Sequence, residues 1–200
     1  MLKQESKKQW CKFLSGDEKA YTWIYKTFIQ DLYRYGLRFT VDTELVKDCI
    51  QEVFTSIYKN RQRLSTPENV KVYLFVSMKN SILRLLQKEI SYNQLESDIV
   101  SFSLEPTVED QFIAYEEYNL RQEYVKEMLS LLSSRQQEII YYRYIQEMSF
   151  DEICLLMNLN YQSAQNLIQR SLKKLRDAYG TIPYSFFFLL SLLGGNIKSI

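Results

Sequence analysis

SFDEICLLMNLNYQSAQNLIQRSLKKLR, residues 149–176, reads as two helices joined by a tight turn. Ser149 can cap the first helix, and Glu152 stands three residues on, where its carboxylate reaches back to the cap amide. Ile153, Leu156 and Met157 form an apolar stripe on that helix. Asn158-Leu159-Asn160 supplies the turn: Asn tolerates the positive φ at which a helix stops, and Asn160 can cap the next one. From Tyr161 onward, at about 100° per residue, Ala164, Leu167, Ile168, Ser171, Leu172 and Leu175 fall on one side. Gln162, Gln165, Asn166, Gln169, Lys173 and Arg176 fall on the other. Along that polar side amides come first and positive charges later. The order suits a helix entering a DNA major groove by its first turns. Carboxamides match the donor–acceptor pair on adenine, and cations suit phosphates. An ordinary helical hairpin with a solvated polar face would carry the same two caps and turn.

Composition sets the frame around that stretch. Two hundred residues suit one large or two small domains. The many Tyr and Phe can build real cores, and few Gly and Pro favour helices with short connections. The net charge of +1 says nothing of nucleic acid by its total. With no histidine in the chain, a zinc site or a His-based triad is not expected. Cys11, Cys49 and Cys154 are far apart and in no ligand spacing, which fits a reducing cytoplasm. The N-terminus, MLKQESKKQWCKF, lacks the apolar core of a signal peptide. There is no Gly-rich phosphate loop and no recognisable carboxylate pair, so the expectation is a binding protein, not an enzyme, with no cofactor, metal or small-molecule substrate.

Residues 17–39 are expected to be helical, with Tyr21, Ile24, Tyr25, Phe28, Leu32 and Tyr35 recurring at threes and fours. Gly36 is expected to loosen the end of that helix. Asp42 and Thr43 are candidate caps for a second helix over 43–60, whose apolar face holds Leu45, Cys49, Ile50, Val53, Phe54 and Ile57. Its other face carries Lys47, Asp48, Gln51, Glu52 and Lys59. After a polar loop, Thr66-Pro67-Glu68 reads as the start of a third helix, about 67–88. Tyr73, Ser77, Asn80, Arg84 and Gln87/Lys88 form a polar strip on it, within about 60° of one line. Phe75, Met78, Ile82, Leu85 and Leu86 point the other way. From Lys59 to Lys88 seven cations stand against Glu68 alone. Basic charge with an aromatic and amides on one helix is the composition of a surface that stacks bases and meets phosphates, though a solvated basic edge would read alike.

Charge then reverses. Between Lys88 and Arg121 there are eight acids and no Lys or Arg. Residues 90–110 are read as an extended acidic linker and the boundary between domains 1–89 and 111–180. It is either a solvated tether or an acidic strand for a basic channel of a partner. Helices are expected over 110–131, and over 134–145 from a Ser133 or Ser134 cap, ahead of the hairpin. The apolar tail, 181–200, has a run of about ten residues, short of the ~20 that span a bilayer. It folds back, waits for a partner or touches a membrane surface.

Taken together, these residues resemble a bacterial RNA polymerase sigma factor of the extracytoplasmic-function class, over about 17–179. Asp48-Cys-Ile-Gln51-Glu52-Val-Phe54 is similar to the D-x-x-Q-E-V-F segment that docks on a coiled coil of the polymerase β′ subunit. Tyr73-Leu-Phe-Val-Ser-Met-Lys79-Asn80 looks like the W-L-x-x-I-A-R-N helix of region two, which helps open the −10 promoter element. Residues 132–176 resemble region four, which reads the −35 element. The acidic stretch falls where the family has a linker threading the polymerase toward its RNA path.

The resemblance implies an all-α fold: a region-two-like bundle of three to four helices, an acidic linker and a region-four-like helix-turn-helix domain. It implies a cytoplasmic transcription initiation factor whose partners are core RNA polymerase, promoter DNA and an anti-sigma factor. Its polymerase-binding residues would be Asp48, Gln51 and Glu52. Those at the −10 element would be Arg61, Arg63, Tyr73, Ser77, Asn80, Arg84 and Lys88. Those at the −35 element would be Gln162, Ser163, Gln165, Asn166, Gln169, Arg170, Lys173 and Lys174. The chain departs from the family at Tyr73, where Trp is usual, and at Phe75-Val76, where an Arg is frequent. It departs again at Ser163-Ala-Gln165-Asn166-Leu167, where T-V-K-S-R is common, and at Asn158, the usual turn Gly. Duplex affinity would then lean on Arg170, Lys173 and Lys174. The competing functions are a stand-alone helix-turn-helix regulator, which would bind duplex tightly without polymerase, and a helical adaptor with no dependence on DNA.

Overall fold

Residues 2–93, 101–104 and 126–180 are described by the structure, a computed structural model, and every regular element among them is helical. The chain divides into two units, Met1–Val100 and Ser101–Ile200. The first holds α1 (Leu2–Leu14), α2 (Glu18–Gly36), α3 (Thr43–Lys59), a 3₁₀ turn (Arg61–Arg63) and α4 (Val70–Asn93). The second holds α5 (Ser134–Ile140), a π turn (Tyr141–Ile145), α6 (Phe150–Met157) and α7 (Tyr161–Tyr179). Among the described residues no helix is long and apolar enough to cross a membrane.

In the first unit, short acids start the helices. The Asp17 carboxylate accepts from the amides of Lys19 and Ala20 at 2.8 and 3.2 Å, and that of Asp42 from Glu44 and Leu45 at 2.9 and 3.0 Å. Each bond satisfies an amide that a helix leaves without an internal partner. Ala20, Ile24, Phe28, Leu32 and Tyr35 of α2 meet Leu45, Cys49, Ile50, Val53 and Ile57 of α3 and Leu74, Phe75, Met78 and Ile82 of α4 in the core. Tyr35 stacks on Phe75 with ring centroids 4.5 Å apart.

α2 ends at Gly36, before the expected residue 39. Gly36 is buried, and a Cβ there would lie 2.6 Å from Val46 Cγ1 and 2.9 Å from Met78 Cε. The missing side chain lets α2 approach α3 and α4, a packing role that local helix propensity does not reveal.

One further expectation is corrected. The basic helix starts at Val70, not at Pro67. Asn69 Oδ1 accepts from the Lys71 amide at 3.0 Å, while the Thr66 hydroxyl lies 3.5 Å from Cys11 Sγ instead of capping. α1, on which the sequence reading made no statement, contributes Ser6, Trp10 and Phe13 to the interior.

In the second unit, Ser133–Gln136 and Ser149–Glu152 both form reciprocal capping boxes. The helix expected over 134–145 finishes as a π turn, with Glu147 at φ 53° beyond it. Of the stretch expected as linker over 90–110, residues 90–93 and 101–104 are described, the former in the first unit and the latter in the second. α4 continues to Asn93. Phe102 and Leu104 are buried in the second unit, with the Phe102 ring 5.4 Å from that of Tyr141. The Phe102 amide donates to Ser134 Oγ at 2.6 Å and the Leu104 amide to Gln137 Oε1 at 2.8 Å. Burying two such side chains is worth roughly 1.5–3 kcal/mol each, enough to hold this apolar pair within an otherwise acidic stretch. Of the helix expected over 110–131, residues 126–130 are described and helical. Residues 110–125 of it, residues 94–100 and 105–110 of the expected linker, and the tail 181–200 lie outside the described residues.

Candidate nucleic-acid interface

The hairpin of the second unit is built by its caps. Ser149 Oγ accepts from the Glu152 amide at 3.3 Å, and Glu152 Oε2 accepts from the Ser149 amide at 3.0 Å. Asn158 adopts the left-handed conformation, φ 50° and ψ 55°, and ends α6. Asn160 Oδ1 accepts from the Ser163 amide at 2.8 Å and starts α7. Beside the turn, the Phe150 ring lies 5.3 Å from Tyr161 and under the Arg143 guanidinium at 5.2 Å. Arg143 Nη1 also donates to the Met148 carbonyl at 3.0 Å, tying the loop before α6.

Four side chains at helical spacing, Ala164, Ile168, Ser171 and Leu175, bury α7, and the Ser171 hydroxyl is satisfied by the Leu167 carbonyl at 2.7 Å. The opposite face is polar. Gln162, Gln169, Arg170, Lys173 and Lys174 are exposed, and Ser163, Gln165 and Asn166 are partly so. Gln162 Nε2 donates to Asn166 Oδ1 at 3.1 Å. That bond leaves the Asn166 amide hydrogens and the Gln162 oxygen without a partner among the described residues, one donor and one acceptor on neighbouring turns. The side chains of Gln165, Gln169, Arg170, Lys173 and Lys174 bond to nothing among the described residues. All eight residues assigned to the −35 element thus lie on one helix.

The polar strip of the first unit is differently placed. Tyr73 is partly buried, its ring 5.2 Å from Trp10 and at 70° to it. Ser77 Oγ donates to the Tyr73 carbonyl at 2.9 Å. Asn80 and Lys88 are exposed. Arg84 Nη2 donates to both oxygens of Glu52, which also accepts from Ser81 Oγ at 2.6 Å. The Ser81 hydroxyl above all, with the Arg84 guanidinium adding to it, holds the Glu52 carboxyl below its ordinary value against the upward push of burial. Behind this bridge the buried Cys49 thiol is pushed up by desolvation. Glu52 and Arg84, assigned by sequence to different tasks, are therefore each other's partners. Asp48 and Gln51 are exposed on α3. Arg61 lies over the Tyr58 ring at 5.2 Å, and Arg63 is exposed in the same short turn.

Sequence reasoning missed Ser81, which reads as one more small residue in the strip, and Trp10. Trp10 is fully buried, and its Nε1 donates to the Ser65 carbonyl at 3.2 Å. The spacing of Ser6, Trp10 and Phe13 was the available signal for its helix.

Comparisons with known proteins agree with this layout. The family model for Sigma-70 region 2 matches residues 15–90, and that for Sigma-70, region 4 matches residues 122–175. The chain is similar to the ECF RNA polymerase sigma factor SigM of Bacillus subtilis, 22% identical over 156 residues, which is 78% of this chain and 93% of that one. It is also similar to the RNA polymerase sigma factor YlaC of the same organism, 20% identical over 153 residues, 76% and 88% of the two chains. Among solved structures it resembles CnrH in complex with the cytosolic domain of CnrY, with a TM-score of 0.58 at 17% identity, over 86% of this chain and 96% of that one. It also resembles the sigma factor RpoE in complex with the anti-sigma factor NepR from Bartonella quintana, with a TM-score of 0.57 at 16% identity, over 80% and 96%. At those identities the structural likeness speaks to the fold.

Proposed function

Because the chain belongs to the extracytoplasmic-function class of the sigma-70 family, we propose that it directs core RNA polymerase to a set of promoters by reading a −35 duplex with α7 and opening a −10 element with the loop 60–69 and α4. The observation that carries this reading is the order of the two regions on one chain, each with its own polar face.

On the −35 duplex, Gln162, Ser163, Gln165, Asn166 and Gln169 reach base edges while Arg170, Lys173 and Lys174 meet phosphates. Polymerase docks on the exposed face of α3 through Asp48, Gln51 and Glu52. A basic group of polymerase that takes the Glu52 carboxylate competes with Arg84, which then turns to the promoter strand with Arg61, Arg63, Asn80 and Lys88. Tyr73 and Ser77 flank that path. Melting costs a few kcal/mol per unstacked step, and stacking returns ~1–3 kcal/mol per base. Polymerase holds both readers on one promoter, so the second contact forms at high effective concentration. By itself the chain then binds promoter weakly. An anti-sigma factor is the corresponding inhibitory partner, by analogy with the RpoE–NepR complex.

The test is transcription in vitro with core polymerase, the purified chain and a library of genomic fragments. The expected result is a discrete set of new start sites. Unaltered start-site choice, or tight duplex binding by the chain without polymerase, overturns the reading.

A further inference from the structure

We propose that Trp10 is a positioning residue for −10 strand capture: its indole ties the loop 60–69 to α4 and so holds Arg61 and Arg63 in register with Tyr73. The inference rests on the strand-capture role given above to those three residues. α1 precedes the region 2 match, which begins at residue 15.

The loop has few bonds of its own. The Arg63 amide donates to the Asn60 carbonyl at 2.8 Å, and the Leu64 amide reaches the Arg61 carbonyl at 3.4 Å. Leu64 is already extended, and no helix resumes until Val70. Across this gap α1 makes the long-range contacts. The Trp10 indole, an obligate donor, bonds the Ser65 carbonyl at 3.2 Å, and the Cys11 thiol lies 3.5 Å from the Thr66 hydroxyl. The same Trp10 ring packs edge-on against Tyr73 at 5.2 Å and against Phe13 at 5.8 Å. One buried side chain therefore touches both pieces of the strand-binding surface.

The consequence is kinetic order, not fold. Ser65 is exposed, so its carbonyl can take a water when the indole hydrogen is lost. The unfolding penalty is then small, but the loop must be ordered at the moment of binding, and that entropy slows strand capture.

The experiment uses holoenzyme assembled from core polymerase and the full chain, with Trp10→Phe, which keeps a buried ring and removes the donor. Closed-complex affinity and the rate of strand opening are read separately, the latter with 2-aminopurine in the −10 element. A double variant, Arg61→Ala with Arg63→Ala, runs beside it. The expected result is unchanged closed-complex affinity with opening slowed by about fivefold, on the order of one net hydrogen bond. Wild-type opening by Trp10→Phe while the double variant is slow overturns the positioning role and leaves strand capture standing. Wild-type opening by both removes the strand-capture assignment, and this proposal with it. Equal losses in closed and open complexes make Trp10 a folding residue only and also overturn the proposal. Amide exchange on the wild-type chain gives a check independent of the variant: protection is expected at the Arg63 and Leu64 amides, and free exchange there overturns the positioning role.

Discussion

The polar face of α7 and the polar strip of α4 differ in how their functional groups are held before any partner arrives. On α7 the scaffold is finished and the readers point outward. Two caps and four buried residues fix the helix, the Gln162–Asn166 bond leaves a donor and an acceptor on neighbouring turns, and the cations stand exposed. On α4 and its loop four of the seven groups already have partners, Tyr73 in Trp10, Ser77 in its own helix, Arg84 in Glu52 and Arg61 in Tyr58, while Arg63, Asn80 and Lys88 are exposed. Reading an intact duplex calls for a rigid, preorganised edge. Capturing unstacked bases calls for groups that exchange partners. Under the proposed function, the first surface would recognise and the second would rearrange.

The widest effect expected from breaking that comparison is at the docking face. Asp48→Lys reverses a charge on α3 without touching the Glu52–Arg84 bridge, and it should abolish co-purification with core polymerase. Retention at wild-type level would remove Asp48 from the docking surface and leave the bridge as the face's main feature.

Next in size is the packing that brings the bridge together. Gly36→Val would drive a branched side chain into Val46 and Met78, between the helices that carry Glu52 and Arg84. A loss on the order of 3 kcal/mol is expected for such overpacking, measured by chemical denaturation, with amide protection falling in α2, α3 and α4. Undiminished stability would mean that α2 does not set their spacing.

On the finished surface, Gln165→Ala and Asn166→Ala should each change promoter preference at the −35 element, at ~1–3 kcal/mol per lost bidentate contact. Competition between −35 variants in holoenzyme binding reads this. A wild-type profile for both variants would assign the reading to other side chains of α7.

The smallest effect is the pH dependence of the bridge. Glu52 is held below its ordinary value, so its contribution to stability is full above the unfolded glutamate value and disappears as pH falls through the folded one. The pair is about half exposed, which limits the effect to less than about 1 kcal/mol. The stability difference between wild type and Glu52→Gln should therefore shrink from about pH 6 to about pH 3. A difference constant across that range would show that the bridge adds no stability.

Much of this was legible in the order of residues because it is local. Ser149 with Glu152, Asn158, Asn160 and the apolar positions of α7 each act within a turn or two of helix, and a capping bond needs only its own neighbours. The same holds for Asp42 before α3. The packing role of Gly36 was not legible because its value lies in what is absent between three helices. The start of α4 was misread because Thr66 and Asn69 are both competent caps, and α1 engages Thr66. The segment 101–104 looked like part of an acidic tether until Phe102 and Leu104 found Ser134, Gln137 and Tyr141.

By itself, then, the sequence determined most of the helices, the caps of α3, α6 and α7 and the composition of each exposed face, since periodicity and capping chemistry act over a few residues. Only the tertiary structure decided which groups were already engaged: Glu52 with Arg84 across 32 positions and Trp10 with Ser65 across 55. Such pairings are set by the packing of helices against one another, and no local pattern along the chain encodes the distance at which two helix faces meet.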